Sequence, residues 1–445
     1  MYKVVVIGGG WSGCAAAIAA KKAGASVTLI EKTDLLLGLG NVGGIMRNNG
    51  RFTATEENIA LGASELFDIT DRCSTHTNID FPGHKHASLY NVMKVEPQVR
   101  RLLKEMGIEI HLTTRAIDVV TEIEELPDEK PKKYLRSINV IKSTSVNPSD
   151  SDVQKIDGDV FIECTGSTGP MGNCLAYGNG CCMCILRCPA FGPRVSISQK
   201  AGVTDIMGMR KDGSWGAFSG SGKLEKGSLS EEIQKELEEK GVVVIPLKKK
   251  DITKEKLNLK VCQQYALDEY AENIVLLDTG YAKIMTPFFP LEKLREVHGL
   301  EDARYADPYA GGKGNSIRYL SVTERDDFMK VAGIENLLCG GEKSGLFVGH
   351  TEAITTGSLA GYNSARYLKG LKPMGLPKQL ATGDLIAYAN ECLKTNEGLM
   401  TRYTFAGADY FKRMQDLGLY STKQAEIEAR VLRLGLVGIY NEKII

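Results

Sequence analysis

The chain has 445 residues, 43% of them hydrophobic, and its 55 basic and 55 acidic side chains balance. That length buries a large core and suits two or three domains, while the charge balance argues against nucleic acid as a partner. No apolar run can span a bilayer and the chain enters a strand at once, so neither membrane nor signal peptide is expected, the setting expected is cytoplasmic, and eleven cysteines point to metal or redox roles rather than disulfides.

Val4–Ile7 is a β-branched run that reads as a buried parallel strand. Gly8, Gly10 and Gly13 follow as G-x-G-x-x-G, and the small residues Ala15–Ala23 continue as a helix. Val27–Ile30 is a second buried strand ending in Glu31. Gly8 allows the strand-to-helix turn, Gly10 lets a pyrophosphate approach the backbone, and Gly13 packs the helix on the sheet. The helix N-terminus offers free N–H groups to phosphates, and Glu31 is placed to accept from ribose hydroxyls. Ser12 and Lys32 belong to the same dinucleotide site. Gly38, Gly40, Gly43 and Gly44 then form a second close-approach loop. Two such loops around one βαβ unit suit FAD better than NAD.

Residues 51–89 show little periodicity, and Cys73, His76, His84 and His86 fit no zinc spacing, so they are expected in loops or at the surface. Val95–Gly107 reads as an amphipathic helix with Val99, Leu102, Leu103 and Met106 on one face. Ile108–Leu112, Ala116–Val120 and Tyr134–Ile141 read as strands. Asp159–Cys164 is a further buried strand that runs into Thr165-Gly166, a turn suited to bringing the chain back against FAD.

Six cysteines crowd the next stretch: Cys164, Cys174, Cys181, Cys182, Cys184 and Cys188. Cys181-x-x-Cys184-x-x-x-Cys188-Pro189 equals the last part of the bacterial ferredoxin run. A [4Fe–4S] cluster is the leading reading, with Cys174 as fourth ligand and Cys182 or Cys164 as fallbacks. A redox-active dithiol at Cys181 and Cys184, structural zinc, and inert cysteines are the alternatives.

Residues 213–227 are rich in Gly and Ser and read as a mobile loop. Ser228-x-x-Glu231 reads as a capping box opening a helix to Lys240. Val242–Leu247, Leu257–Val261 and Ile274–Leu277 read as strands. No second strand-G-x-G-x-x-G-helix unit occurs, so no separate NAD(P)H domain is expected. Pro287–Gly299 and Tyr305–Leu320 are irregular segments suited to shaping a substrate pocket, with Lys313 and Arg318 as candidate anion holders. Near the end, a short strand at Asn336–Cys339 leads through Gly340, Gly341 and Glu342 to Gly349, His350, Thr351 and Glu352. A small-residue helix with Gly357, Ala360 and Gly361 follows, able to pack closely on the first helix or the cofactor. Its N-terminus is expected to face the flavin N1–C2 edge. His350 and Glu352 are the candidate catalytic residues.

Gly8–Gly13 with Glu31, together with CGGEKSGLFVGHTEAITTGSLAGYNSAR at Cys339–Arg366, resemble the FAD-binding segments of the GidA/TrmFO-like flavoproteins, a family that includes tRNA-modifying enzymes. The resemblance implies a two-dinucleotide-binding fold and tightly held FAD. The dense cysteine stretch and the absence of a basic excess depart from the tRNA enzymes.

The expected fold is α/β, a Rossmann-like two-dinucleotide-binding FAD fold with an inserted α+β substrate domain and a C-terminal helical module. Residues 1–200 form the first part of the FAD domain with the cysteine cluster, 201–330 the insert, 331–372 the second part, and 373–445 the helical module. The expected function is an FAD-dependent oxidoreductase that passes electrons between flavin and a [4Fe–4S] cluster, its partner a small-molecule substrate or an electron-carrier protein. A flavin-dependent tRNA-modifying enzyme and a non-catalytic flavin sensor are the alternatives. The oligomeric state is left open.

Overall fold

The β-branched run at the start of the chain forms β1 (Lys3–Ile7), in the middle of a parallel sheet that has five strands among the described residues. In the computed structural model those are residues 2–445 except 126, 128–129, 146–147, 168–186, 216, 219–221, 261, 287–288, 307–316 and 319. β1 pairs on one side with β2 (Ser26–Ile30), which carries β3 (Glu109–His111) beyond it. On its other side lies β4 (Val160–Glu163), followed by β5 (Leu337–Cys339). The sheet is therefore assembled from both ends of the chain, as the two separated FAD segments require.

Alternation along β1 explains why the run is apolar throughout. Val4 and Val6 face a helical core; Val5 and Ile7 face a β-layer that includes Leu135, Ile138 and Val140. That layer is a three-stranded antiparallel sheet of Thr114–Glu124, Lys132–Lys142 and Gln154–Asp157. The helical face holds α1 (Trp11–Lys22) and α2 (His350–Leu368), which cross at backbone contact. A Cβ on Gly357 would lie 2.2 Å from the Ser12 carbonyl oxygen, and one on Gly361 the same distance from that of Ala16. The small residues of α2 thus serve the first helix.

The inserted region holds a four-stranded antiparallel sheet in the order Gly222–Leu224, Ala282–Ile284, Asn273–Asp278, Val242–Pro246. Helix Glu231–Lys240 packs on it through Ile233 and Leu237. The last part of the chain contains helices Ala381–Cys392, Ala408–Asp416 and Gln424–Arg433. Glu57 ties it to the body: its carboxylate accepts the Ala381 and Thr382 N–H groups, both at 2.9 Å, and so caps the first of these helices.

Four local expectations fail. Residues 51–89 are ordered, with helices Gly50–Ala60 and Glu65–Arg72 and a hairpin of Ser74–Phe81 and His84–Tyr90. Helix Gly50–Ala60 is buried on most sides, which erases its polar face, and register shifts break the hairpin's alternation. Of the expected strand Leu257–Val261, Val261 lies outside the described residues and Leu257–Leu259 belongs to a short 3-10 helix, Lys254–Leu259. The cap of helix Glu231–Lys240 is Ser230, whose Oγ accepts the Ile233 N–H, whereas Ser228 Oγ donates to the Glu225 carbonyl. The stretch 213–227 contributes the short strands Ala217–Phe218 and Gly222–Leu224. Among the described residues no helix is long and apolar enough to cross a membrane.

Candidate functional site

A continuous cleft of about 1880 Å³, counted out to open solvent, runs along the C-terminal ends of β1, β2 and β4. This is where doubly wound sheets place their ligands. Gly8, Gly10 and Ser12 line its floor. Gly8 has φ +100°, and a Cβ there would lie 2.4 Å from the Cys164 carbonyl oxygen, so the turn between β1 and α1 admits no side chain. At Gly10, by contrast, a Cβ would meet nothing within 4 Å. The space in front of the α1 N-terminus is open, a cradle for phosphate oxygens. Gly13 packs against the Gly8 carbonyl and stays out of the cleft.

Glu31 and Lys32 line one end. Glu31 Oε2 accepts the Gly9 N–H at 2.7 Å and Oε1 accepts the Thr33 N–H at 2.8 Å. Two oxygens with about four lone-pair sites leave room for a ribose hydroxyl as well. Lys32 Nζ donates to the Gly192 carbonyl at 3.0 Å and lies 4.0 Å from Cys188 Sγ. Thr165, Gly166, Gly341 and Glu342 line the middle. Ser167 Oγ donates to Glu342 at 2.8 Å. Behind them a buried network fixes the strand ends: Lys343 Nζ reaches Asp205 at 2.5 Å and Ser196 Oγ at 2.8 Å, while Glu163 accepts the Ile197 and Ser198 N–H groups at 2.8 Å.

Gly38 of the second glycine loop lies over Gly10, while at the far end Gly43 of the same loop meets the His350 ring at the α2 N-terminus, where Gly349 also lines the cleft. Tyr90 OH lies 3.3 Å from His350 Nδ1, and the Trp11 ring lies tilted beside the imidazole, 5.4 Å between ring centres. Lys283 Nζ donates to the Val42 and Gly43 carbonyls, both at 2.5 Å, and pins that loop. Beyond it the cleft continues past Arg51, Lys260, Cys262, Gln264, Tyr265 and Met285.

Besides Gly13, three of the expected dinucleotide and catalytic residues lie outside the cleft. Gly44 packs on Thr279, and Thr351 is fully buried inside the helix. Glu352 is also fully buried, held by Arg51 Nε at 3.2 Å and by the Phe405 N–H at 2.9 Å. It neutralises Arg51 and is no catalytic group. His84 is not at the surface either. It is 1% exposed, its Nε2 donates to the Gln264 carbonyl at 3.0 Å, and burial pushes its pKa down to about 3. The ring is therefore neutral.

Of the expected metal ligands, Cys174, Cys181 and Cys184 lie outside the described residues, as do Cys182, Lys313 and the side chain of Arg318. Cys188 is partly buried at the start of a short helix beside Lys32. Cys164 is buried with Ser12 Oγ 3.4 Å from its Sγ, and desolvation pushes its thiol up to about 12. That sets it against the fallback ligand role. Among the described residues no group of three or more His, Cys, Asp or Glu side chains could hold a metal ion.

The sequence reading missed Arg51, Lys260, Cys262, Gln264, Tyr265 and Lys283. They carry no motif and meet only when the insert folds against residues 42–51.

The FAD dependent oxidoreductase family matches residues 3–169, and the family described as glucose inhibited division protein A matches residues 279–372. Two solved structures of Aquifex aeolicus GidA are similar in fold. One has TM-score 0.58 at 14% identity, covering 97% of this chain and 76% of that one. The other has TM-score 0.56 at 15% identity, covering 97% and 78%. No curated protein matches by sequence. The open cradle at Gly10, the acid at Glu31 and the length of the cleft fit FAD, whose family signature spans the same residues. The two family matches and the shared fold together support a GidA-like FAD-dependent oxidoreductase.

Proposed function

We propose that the enzyme oxidises or reduces a small organic substrate at the Lys260–His350 end of the cleft. We propose further that single electrons pass to or from a carrier protein through a [4Fe–4S] cluster in the cysteine stretch. The observation supporting the first part is the continuity of the cleft: it runs past the dinucleotide motif into a lined pocket. FAD bound there supplies a two-electron acceptor that also accepts electrons singly. The chain's own residues set its surroundings. Lys283 fixes the loop at residues 42–43, the α2 N-terminus presents N–H groups, and Tyr90 orients His350.

The cluster reading rests on the spacing of Cys181, Cys184 and Cys188, with Cys174 as fourth ligand. Lys32 beside Cys188 suits the negative charge of a thiolate-ligated centre. Oxygen-free purification with flavin, iron and sulfide quantified tests it. About four irons per flavin are expected. Flavin without iron, before and after reconstitution, would remove the cluster and leave the oxidoreductase reading standing.

A flavin-dependent RNA-modifying activity is the second reading, supported by the match at residues 279–372. Binding of tRNA by the flavin-loaded chain at physiological salt would favour it, against the balance of 55 basic and 55 acidic residues.

A further inference from the structure

The far end of the cleft contains a buried cation without a counter-ion. Lys260 is 2% exposed and lines the cleft. Its Nζ donates to the Met285 carbonyl at 2.7 Å and lies 3.4 Å from the Tyr265 carbonyl. It forms no ion pair among the described residues. The rings of Tyr270 and Tyr265 stand 5.2 Å and 5.7 Å from the ammonium and give it partial support. A buried ammonium lacking a carboxylate is costly, and two carbonyls and two rings offset only part of that cost.

The neighbours do not supply the missing charge. Arg51 is already neutralised by Glu352. Lys283 adds a second cation to this end, and the carboxylates lining the cleft, Glu31 and Glu342, belong to the dinucleotide segments. Gln264 is 5% exposed and lines the same end, and its Oε1 has no partner among the described residues. A donor without a counter-charge and an acceptor without a donor thus sit in one pocket.

We propose that this pocket receives a small organic anion, a carboxylate or enolate, with Lys260 as its counter-ion and Gln264 Oε1 accepting a neighbouring O–H or N–H. The proposal rests on FAD filling the other end and names the substrate class of the reaction. Lys260 then has two tasks. It binds the acidic group, and it sets a pH limit on binding, because burial pushes its ammonium down to about 8. The titratable and charged groups around it are Cys262, Tyr265, Tyr270, His84, Arg51 and Lys283. His84 stays neutral, and burial raises both tyrosines above their ordinary values. Cys262 is therefore the group to separate from Lys260, which a Cys262→Ser variant does.

Benzoate and its uncharged isostere benzamide are the probes. Each is titrated into the flavin-loaded chain, following the visible flavin spectrum and, in parallel, thermal unfolding. Benzoate is expected to bind saturably at pH 7 and at least about tenfold more weakly at pH 9.5, in the parent and in Cys262→Ser alike. Lys260→Met is expected to lose about tenfold or more for benzoate, Lys260→Arg to retain most of the binding, and benzamide to bind weakly throughout. Equal binding of benzoate and benzamide, or benzoate affinity unchanged in a folded, flavin-loaded Lys260→Met, overturns the proposal. A chain that takes up no flavin defeats the FAD reading beneath it, and the two failures are told apart by the flavin spectrum alone.

Discussion

The crossing of α1 and α2 holds both halves of the dinucleotide site, and it can be pried apart without touching a ligand-facing atom. In the double variant Gly357→Ala/Gly361→Ala each new Cβ would lie 2.2 Å from a backbone carbonyl oxygen, that of Ser12 or Ala16. Neither carbonyl can swing away as a side chain would. The helices must separate by roughly 0.8 Å to bring the contact even to 3.0 Å, a spacing real Cβ atoms rarely go below. Overpacking costs about 1–3 kcal/mol per site. Alanine returns about 1 kcal/mol per site in helix propensity. The net expectation is a loss of about 2 kcal/mol for the pair. Because α2 begins at His350 and α1 at Trp11, the same displacement loosens the cradle, so flavin retention should fall together with stability. Denaturant unfolding and flavin content after gel filtration measure the two. The control is Gly227→Ala, where a Cβ meets nothing within 4 Å, and it should be neutral or slightly stabilising. Unchanged midpoint and full flavin load in the double variant would refute the reasoning.

Three further outcomes are expected. Arg51→Met leaves Glu352 buried without its cation and should cost about 3–5 kcal/mol, whereas Arg51→Met/Glu352→Gln should recover a good part of that; equal losses in both would refute the pairing. His84 is neutral in the fold, with a pKa lowered from 6.5 to about 3, so below pH 6.5 the unfolded chain binds a proton that the folded chain does not. Stability from this residue is complete above pH 6.5 and should fall by up to about 1.4 kcal/mol per pH unit on acidification toward pH 3; His84→Gln should flatten the slope between pH 6.5 and 5, and identical slopes would contradict the assignment. Lys343→Met removes the nearer of two buried cations beside Asp205, leaving Arg194 at 3.6 Å, and should destabilise by about 3 kcal/mol in urea unfolding, while Lys343→Met/Asp205→Asn should be milder.

The dinucleotide half of the site was legible because its chemistry is local. Gly8, Gly10 and Glu31 lie within one βαβ unit, and their spacing is dictated by the turn and the phosphates. The α2 segment was legible for the same reason: small residues at Gly357 and Gly361 recur on one helical face. The substrate half was not. Lys260 and Gln264 follow a 3-10 helix that apolar composition disguised as a strand, and Arg51 opens a helix whose polar positions are buried by tertiary contacts. Glu352 stands two residues after His350 and reads with it as a catalytic candidate, yet on a helix residues two apart face different ways. His350 turns to the cleft, and Glu352 turns to Arg51. The buried network of Lys343, Asp205 and Glu163 joins residues far apart in the chain, which no periodicity reveals.

The central claim is that the cleft along β1, β2 and β4 holds FAD and that its far end does the chemistry. The most direct measurement is a titration of FAD into flavin-stripped chain, with the visible spectrum recorded before and after dithionite, for the parent and for Gly10→Leu, which fills the open space before α1. One FAD per parent chain, bleached on reduction, with uptake lost in a folded Gly10→Leu, is the result expected. A parent chain that binds no FAD, or a Gly10→Leu variant that binds it as well as the parent, would contradict the account.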